Sequence, residues 1–258
     1  MTTIKQIRDQ SPIILNISNM VTPQHVADAI NFIGASPIMF DDIKEAADLV
    51  NISNALVINM GSSNDDDVEK SIAAGKYANQ KGIPVIIDPV AIGASQLRQD
   101  NFAKVAKEVK FNGVRGNAGE LAFLADIEWN AQGIDAGDGD GDLHEITKAV
   151  AKKFNCISLL SGVVDVISDG QKVVEVQNGH PYFAVNVGCG DMLDGILGAC
   201  LAVDNSLDSA VLAASILSIA GEIAGESTEK IPYTFLNTVF DTLYQLSDTQ
   251  INELQKLG

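Results

Sequence analysis

Short apolar runs of strand length alternate along the chain with longer segments in which apolar residues repeat at helical spacing. A mostly apolar run of four to six residues predicts a strand that is covered on both faces, as in a parallel sheet. Such runs lie at 13–17, 56–60, 84–89 and 157–160. Strands that alternate with helices in this way predict an α/β chain with a central, mostly parallel sheet.

Capping and breaking residues mark where the helices begin and end. Thr22 is a favoured cap, Pro23 suits the first helical position, and Gly34 predicts the end of that helix. The acidic triplet Asp65–Asp67 favours a helix start, where the dipole stabilises negative charge, over a metal site, and Gly82 predicts the end of that helix. Further predictions are a loop or short strand at 35–39, a helix at 100–110, helices packed on the sheet at 209–224 and 235–246, and a hairpin at 164–176.

Composition limits the classes of partner. A chain of 258 residues with 46% hydrophobic content can bury a substantial core, and we expect a single domain over residues 1–258. The formal net charge of −17 argues against nucleic acid or an anionic membrane as a partner. We expect no stretch long enough to span a membrane. A phosphate-bearing ligand would therefore depend on backbone amides, a few cations and a metal ion.

Neither the cysteines nor a glycine–aspartate segment has the spacing of a metal site. Cys156, Cys189 and Cys200 lack metal-ligand spacing, and an odd number without a secretory leader predicts a reducing cytoplasm. The segment 136–142 resembles a calcium loop. The sixth and twelfth positions, counted from residue 138, are nevertheless leucine and alanine rather than glycine and glutamate, and we expect a flexible surface loop.

The glycine-rich segment 186–198 runs into a small-residue apolar stretch, and this pattern predicts a turn that opens a helix. Gly188 and Gly190 permit backbone conformations barred to other residues, so that their N–H groups can converge on an anion at the positive end of the helix. Asp191 in the same turn would stand beside that anion and accept a proton from an attacking hydroxyl. The alternative interpretation is that Asp191 only caps the helix.

Polar residues follow several of the predicted strands. Because ligands of α/β sheets bind beyond the carboxyl ends of the strands, we expect these residues to face one crevice. They comprise carboxylates, a guanidinium, a hydroxyl and the amide-rich helix start, namely Asn19, Asn59–Ser62, Asp88, Arg115–Glu120, Ser161 and Asp191.

This mixture of groups suits phosphoryl transfer, which needs cations at the phosphate and an acceptor for the proton of the nucleophile. Arg115 would grip phosphate oxygens, while Asp88 and Glu120 would hold Mg²⁺ directly or through its waters. Each residue also has a structural interpretation: a surface ion pair, a turn residue and a helix-start carboxylate, respectively. The chain has no G-x-x-x-x-G-K-[ST] motif and no G-x-G-x-x-G after a strand, which excludes P-loop and dinucleotide-binding proteins.

Several motifs, in order along most of the chain, closely resemble hydroxyethylthiazole kinase, the thiamine-salvage branch of the ribokinase-like superfamily. They are 16–19 (NISN), 34–39 (GASPIM), 59–62 (NMGS), 88–95 (DPVAIGAS) with Arg98, 115–120 (RGNAGE) and 178–181 (NGHP). The resemblance implies a ribokinase-like fold with a central sheet flanked by helices. It also implies transfer of the γ-phosphate of ATP to the hydroxyl of 4-methyl-5-(2-hydroxyethyl)thiazole with Mg²⁺, in a cytoplasmic homotrimer whose active sites lie between subunits.

The resemblance assigns roles to individual residues. Arg115 and Ser161 would contact ATP, and Asp88 and Glu120 would organise the metal. The thiazole would contact Met39, the backbone of Gly188 and Asn19.

The chain departs from the family pattern at two places. The family commonly has Lys-Val-Thr-Gly-Thr-Gly-Cys where residues 185–191 read Val-Asn-Val-Gly-Cys-Gly-Asp. Asp191 thus replaces the usual cysteine, as in the wider ribokinase group, where that aspartate is the catalytic base. Leu15 replaces the family's histidine. The changed turn leaves open altered phosphate contacts or another substrate.

Three alternatives remain from the sequence. One is a sibling kinase acting on another small alcohol, such as a hydroxymethylpyrimidine. Another is a non-catalytic ligand-binding homologue, in which Asp191 only caps a helix. An NAD(P)H-hydrate dehydratase that uses ATP or ADP is less favoured, because 34–39 and 178–181 resemble thiazole kinases in particular.

Overall fold

A computed structural model describes residues 2–129 and 141–258. Within these residues the strands form one eight-stranded sheet in the order β2-β1-β3-β4-β5-β6-β7-β8. Their bounds are β1 Ile13–Ile17, β2 Ser36–Met39, β3 Ala55–Asn59, β4 Val85–Asp88, β5 Gly113–Asn117, β6 Ile157–Ser161, β7 Asp165–Ser168 and β8 Val173–Val176. The first six strands pair in parallel, and β7 and β8 pair antiparallel as the predicted hairpin.

The mostly parallel sheet is confirmed, with small differences in its elements. The segment 35–39, predicted as a loop or short strand, is the edge strand β2. Arg115, expected to follow a strand, lies within β5, because β5 pairs with β6 as far as Asn117 and Ser161. The mostly apolar pattern of β1, β3, β4 and β6 is missing from β5, since this strand carries Arg115 and two glycines.

Helices cover both faces of the sheet. In chain order they are α1 Ile4–Gln10, α2 Pro23–Phe32, α3 Ala46–Ile52, α4 Asp65–Lys81, α5 Gln96–Glu108, α6 Ala118–Leu124, α7 Leu143–Phe154, α8 Cys189–Val203, α9 Leu207–Ser227, α10 Pro232–Gln245 and α11 Asp248–Leu254. One buried apolar cluster joins the sheet to α1, α2 and α8 to α11, and the other joins it to α3 to α7. The chain is therefore three layers deep, with a helical layer on each side of the sheet.

The placement of the last long helices differs in part from the expectation. The helix α9 packs on β6, β7 and β8 as predicted, whereas α10 packs mainly on α9 and α2. Because α9 is buried around most of its circumference, it has a second apolar side to cover, and α10 covers it.

The predicted helix boundaries are confirmed where capping chemistry is strong. At the start of α4, Asn64 and Asp67 form a reciprocal capping box, so the acidic triplet serves the helix start, and Gly82 ends α4 with a left-handed φ of 79°. Pro23 occupies the first turn of α2. Thr22, however, makes no side-chain cap for α2, because its hydroxyl points elsewhere.

Several helices were not predicted. The helices α1, α3 and α11 are seven residues each and bury few side chains, so their apolar pattern is weak. The helix α7 was also missed, although Ile146 and Val150 repeat at helical spacing. The helix expected at 100–110 begins earlier, at Gln96, where the Ser95 hydroxyl accepts from the Arg98 N–H. The loop predicted at 136–142 lies outside the described residues as far as residue 140.

The expectation that no segment is long enough to span a membrane was wrong for α9. By length and composition alone, this helix of 21 residues is apolar enough to cross a bilayer. Of the most apolar 18-residue stretch of this helix, 78% is buried inside the protein, where α9 contacts the sheet and α10. Its hydrophobicity is therefore used in the core of the fold.

Asp165 ties the β7–β8 hairpin to this central helix. The buried carboxylate accepts hydrogen bonds from the Gly162 N–H at 3.0 Å and from the Ser218 hydroxyl at 3.1 Å. Burial raises the pKa of Asp165 to about 6, although both hydrogen bonds lower it. Between the ordinary value of 3.8 and this value, the folded protein keeps a proton that the unfolded chain has lost. Folding stability contributed by this group is present below that window and is lost as pH rises through it.

We predict that Asp165→Asn removes this pH dependence. The amide oxygen can still accept from Gly162, and the Ser218 hydroxyl can reverse to accept from the new amide, while nothing titrates. Thermal midpoints measured from pH 4 to 7 should fall with pH more steeply in the original protein than in the variant. Parallel curves for the two proteins would contradict the prediction.

Candidate active site

Four neighbouring strands each supply a polar side chain to one site, three of them from the carboxyl end. Asn59 ends β3 beside Asp88, the last residue of β4, and Ser161 ends β6. Arg115 lies in β5, between the strands that carry Asp88 and Ser161. The polar groups expected to face one crevice therefore lie on adjacent strands of the sheet.

Arg115 is a buried cation held from several sides. Its Nη1 donates to Asp88 Oδ2 at 2.9 Å and lies 3.8 Å from Asp194 Oδ1, while its Nη2 donates to Ser161 Oγ at 2.6 Å. Burial acts to lower the pKa of Arg115, but the carboxylates of Asp194 and Asp88 outweigh it and the net shift is upward. The side chain is only 10% exposed, so the interpretation of Arg115 as a surface ion pair was wrong.

Asp191 does not cap the helix in which it lies. The N-cap of α8 is Gly188, and Asp191 follows in the first helical turn. Its Oδ2 accepts from Asn19 Nδ2 at 2.8 Å and from the Thr22 hydroxyl, and its Oδ1 accepts from Asn59 Nδ2 at 3.0 Å. The half-buried carboxylate is thus turned toward the ends of β1 and β3, within the site.

The two glycines of the turn are needed for different reasons. Gly188 has a left-handed φ of 94°, which confirms the conformational argument for this residue. Gly190 is not among the described residues with positive φ, and the same argument was wrong for it. A Cβ at position 190 would lie 2.3 Å from Arg115 Nη2, so the absence of a side chain lets the guanidinium pass under the helix start.

Three carboxylates meet beneath this turn. Asp88, Asp191 and Asp194 each present an oxygen within 4.8 Å of the others, so the group could hold a cation. Burial raises the pKa of Asp88 well above its ordinary range, and it raises that of Asp194 to about 7 despite the opposing charge of Arg115. Asp88 Oδ1 and Asp194 Oδ1 are buried and accept no hydrogen bond from the described residues.

Asp194 was missed in the sequence, although a signal for it exists. It lies three residues after Asp191 on α8, and this spacing places both on one helix face. A carboxylate within a buried apolar helix is uncommon unless it is paired, and Asp194 is 1% exposed. Its partners, Arg115 and Asn59, come from distant parts of the chain.

Glu120 lies outside the group of three carboxylates. Its Oε1 accepts from the Ala91 N–H at 2.7 Å and its Oε2 from the Asn117 N–H at 2.8 Å. Asn117 in turn caps α6, so Glu120 has the helix-start role considered as its structural interpretation. Glu120 also lies close enough to raise the pKa of Asp88 and that of Arg115 through its negative charge.

The residues expected to contact the thiazole lie at the same edge of the sheet. Met39 ends β2, pairs in register with Asn16 of β1 and is 37% exposed. Asn19 follows β1 and donates to both Asn59 and Asp191. Gly188 begins α8, next to Thr22. Asn19 and the bare backbone of Gly188 therefore lie beside Asp191, and Met39 presents an accessible side chain at the same edge of the sheet.

The site combines a fixed cation, an amide-rich helix start and an oriented carboxylate, and groups of these kinds suit phosphoryl transfer to an alcohol. The fold is similar to that of a ribokinase-like superfamily protein from Enterococcus faecalis, with a TM-score of 0.67 at 13% identity over 96% of this chain and 90% of that one. Fold and site together define an α/β protein of ribokinase-like architecture whose site carries groups suited to phosphoryl transfer.

Comparison with known proteins specifies the family. The model of the hydroxyethylthiazole kinase family matches residues 4–249. The chain is 42% identical to a hydroxyethylthiazole kinase from Pediococcus pentosaceus, over 99% of this chain and 97% of the relative. Its structure is similar to that of a hydroxyethylthiazole kinase protein from Pyrococcus horikoshii, with a TM-score of 0.89 and 28% identity over 99% and 96% of the two chains. The chain belongs to the hydroxyethylthiazole kinase family.

We predict that Gly190→Ala destabilises the protein by displacing Arg115. The new Cβ would overlap the guanidinium and leave Asp88 and Asp194 without their compensating charge. Removing one partner of a buried ion pair costs about 3–5 kcal/mol, which corresponds to a fall in thermal midpoint on the order of 5–15 °C. Helix propensity alone favours alanine and has the opposite sign.

Gly93→Ala is the matched control for this experiment. A Cβ at position 93 would have its nearest atom in Phe123 at 3.8 Å, an ordinary contact, and we expect little change in the midpoint. Equal midpoints for the two variants would show that Arg115 does not depend on the close approach to Gly190.

Proposed function

We propose that this chain transfers the γ-phosphate of ATP to the hydroxyl of 4-methyl-5-(2-hydroxyethyl)thiazole, and that residues 1–258 act as one kinase domain. The observation that carries the proposal is the placement of Asp191, oriented by three donors at the start of α8 and close to the Arg115 ion pairs. The relatives from Pediococcus pentosaceus and Pasteurella multocida are named hydroxyethylthiazole kinases, which supports the thiazole alcohol as acceptor.

In the proposed reaction, Asp191 accepts the proton of the substrate hydroxyl as its oxygen attacks the γ-phosphorus and ADP leaves. The backbone N–H groups of 188–191 form the positive end of α8 and would stabilise charge on the transferred phosphoryl group. Arg115 and Ser161, which form a hydrogen bond with each other, would contact ATP. Met39 and Gly188 would contact the thiazole.

Mg²⁺ is the proposed metal, and the donor groups fit it. Mg²⁺ prefers oxygen ligands, and Asp88 Oδ1 and Asp194 Oδ1 are buried oxygens without a donor. The Asn59 Nδ2 group has only two hydrogens but lies within 3.3 Å of oxygens from Asp88, Asp191 and Asp194, so the carboxylates outnumber their donors. We propose that Asp88 and Asp194 would hold the ion, and that Glu120, whose oxygens already accept two backbone N–H groups, would contact it through water. When bound, Mg²⁺ neutralises charge on the phosphates.

We also propose a homotrimer with active sites between subunits, in the cytoplasm. Exposed apolar side chains flank the site, and they support a protein partner at this edge. They lie in the loop after β1 and in the turn before α8, namely Met20, Val21, Val185 and Val187. All three cysteines are free, which is consistent with a reducing compartment.

The catalytic prediction is that Asp191→Asn lowers turnover about 100-fold or more, because the amide cannot accept the hydroxyl proton. The measurement is coupled ADP release with the thiazole alcohol, with and without Mg²⁺, beside a panel that includes a hydroxymethylpyrimidine. We expect ATP to bind the variant almost unchanged. Unchanged ADP formation by Asp191→Asn would instead favour a non-catalytic role for Asp191, and a preference for another alcohol would correct the substrate.

The assembly prediction is a particle containing three 27.3-kDa chains in light scattering. Val187→Asp should reduce its mass, because a charge would be placed in the proposed interface. Tyr77→Asp, on the half-exposed face of α4 in the opposite helical layer, is the control and should leave the mass unchanged. A monomeric original protein would contradict the trimer.

A further inference from the structure

Thr22 occupies the cap position of α2 but does not act as a cap. The residue is 3% exposed, and its side chain accepts no hydrogen bond from the first turn of the helix. Its hydroxyl instead faces Asp191 Oδ2 and, at 3.2 Å, the side-chain oxygen of Asn19. A hydroxyl has one proton to donate, and a carboxylate is the stronger acceptor of the two. Thr22 is therefore a donor to Asp191.

We propose that Thr22 is a positioning residue for the catalytic carboxylate, holding Asp191 in the orientation that receives the substrate proton. This inference rests on the proposed function, in which Asp191 is the base. Thr22 touches neither substrate nor nucleotide in this role, and it acts only through Asp191. The sequence suggested only a helix cap for this residue.

The packing of Thr22 explains how its hydroxyl is held. A Cβ added to Gly188 would lie 2.4 Å from Thr22 Cγ2, so the threonine methyl rests against the bare backbone of the turn. A β-branched side chain has few χ1 rotamers, and fixing the methyl also fixes the hydroxyl. One side chain thus joins the start of α2 to the start of α8, with its apolar branch on the turn and its polar branch on the base.

The hydrogen bonds also indicate which oxygen receives the proton. A carboxylate offers about four lone-pair positions. Among the described residues, Asn19 and Thr22 both donate to Asp191 Oδ2, whereas only Asn59 donates to Oδ1. The remaining acceptor position is on Oδ1. In the transfer step the substrate O–H bond breaks, the proton goes to Asp191 Oδ1, and the substrate oxygen bonds to the γ-phosphorus as ADP leaves.

Two substitutions separate the hydroxyl from the methyl. Thr22→Val keeps the shape against Gly188 and removes the donor, while Thr22→Ser keeps the donor and removes the methyl. Loss of a hydrogen bond to a charged group predicts that Thr22→Val lowers kcat about 10- to 100-fold. We expect KM for ATP and for the thiazole alcohol to change less than about threefold, and Thr22→Ser to retain most of the activity.

A double-mutant cycle with Asp191→Asn tests whether Thr22 acts through Asp191. If it does, Thr22→Val costs nothing further in kcat once Asp191 is replaced. A purely structural role predicts equal losses in both backgrounds and lower thermal midpoints, without a selective effect on kcat. Thr22→Ala, which also lacks the donor, serves as a second variant should Thr22→Val fail to fold.

The outcomes distinguish this inference from the proposed function. If Asp191→Asn abolishes ADP release while Thr22→Val and Thr22→Ala turn over like the original protein, the role of Thr22 is overturned and the kinase assignment stands. Equal losses in Thr22→Ser and Thr22→Val would also overturn it, because the methyl would then matter as much as the hydroxyl. If Asp191→Asn is itself fully active, the role of Asp191 as the base is overturned, and the role of Thr22 with it, while the kinase activity is left standing.

Discussion

The structure of the site depends on compensating buried negative charge with a single guanidinium. Asp88 and Asp194 are almost completely buried, and isolated carboxylates in such a position would be strongly destabilising. Arg115 reaches both of them from β5, and Ser161 holds its other nitrogen. The charge of the site is thus organised from inside the sheet, beneath the helix start at which a phosphate would be bound.

This compensation determines the shape of the turn above it. Arg115 can lie under α8 only because residue 190 has no side chain, while Gly188 supplies the left-handed backbone that turns the chain into the helix. Asp191 is then oriented from the opposite side by residues that follow β1 and end β3. The glycine-rich turn before α8 therefore contacts residues that follow β1, end β3 and lie in β5. Its geometry depends on how these three strands are placed in the sheet.

The parallel sheet is what makes this arrangement possible. The strands β3, β4 and β6 are mostly apolar along their length and polar at their carboxyl ends. Parallel pairing places the last side chains of neighbouring strands side by side, as for Asn59 and Asp88. The two helical layers have separate apolar clusters, and α8 belongs to the layer that also contains α2. Packing of α8 against α2 brings Thr22 to Asp191 across most of the length of the chain.

The sequence by itself determined the alternating α/β pattern, the hairpin, the capped ends of α4 and the polar residues at the strand ends. These features follow from local periodicity and local capping chemistry, and the family motifs led to the same site. Only the tertiary structure decided that Arg115 is buried, that Asp194 joins the carboxylates, that Gly190 makes room for a guanidinium and that Thr22 bonds Asp191 instead of its own helix. Each of these depends on a contact between residues far apart in sequence, and burial and pairing of that kind arise only when separate strands and helices pack together.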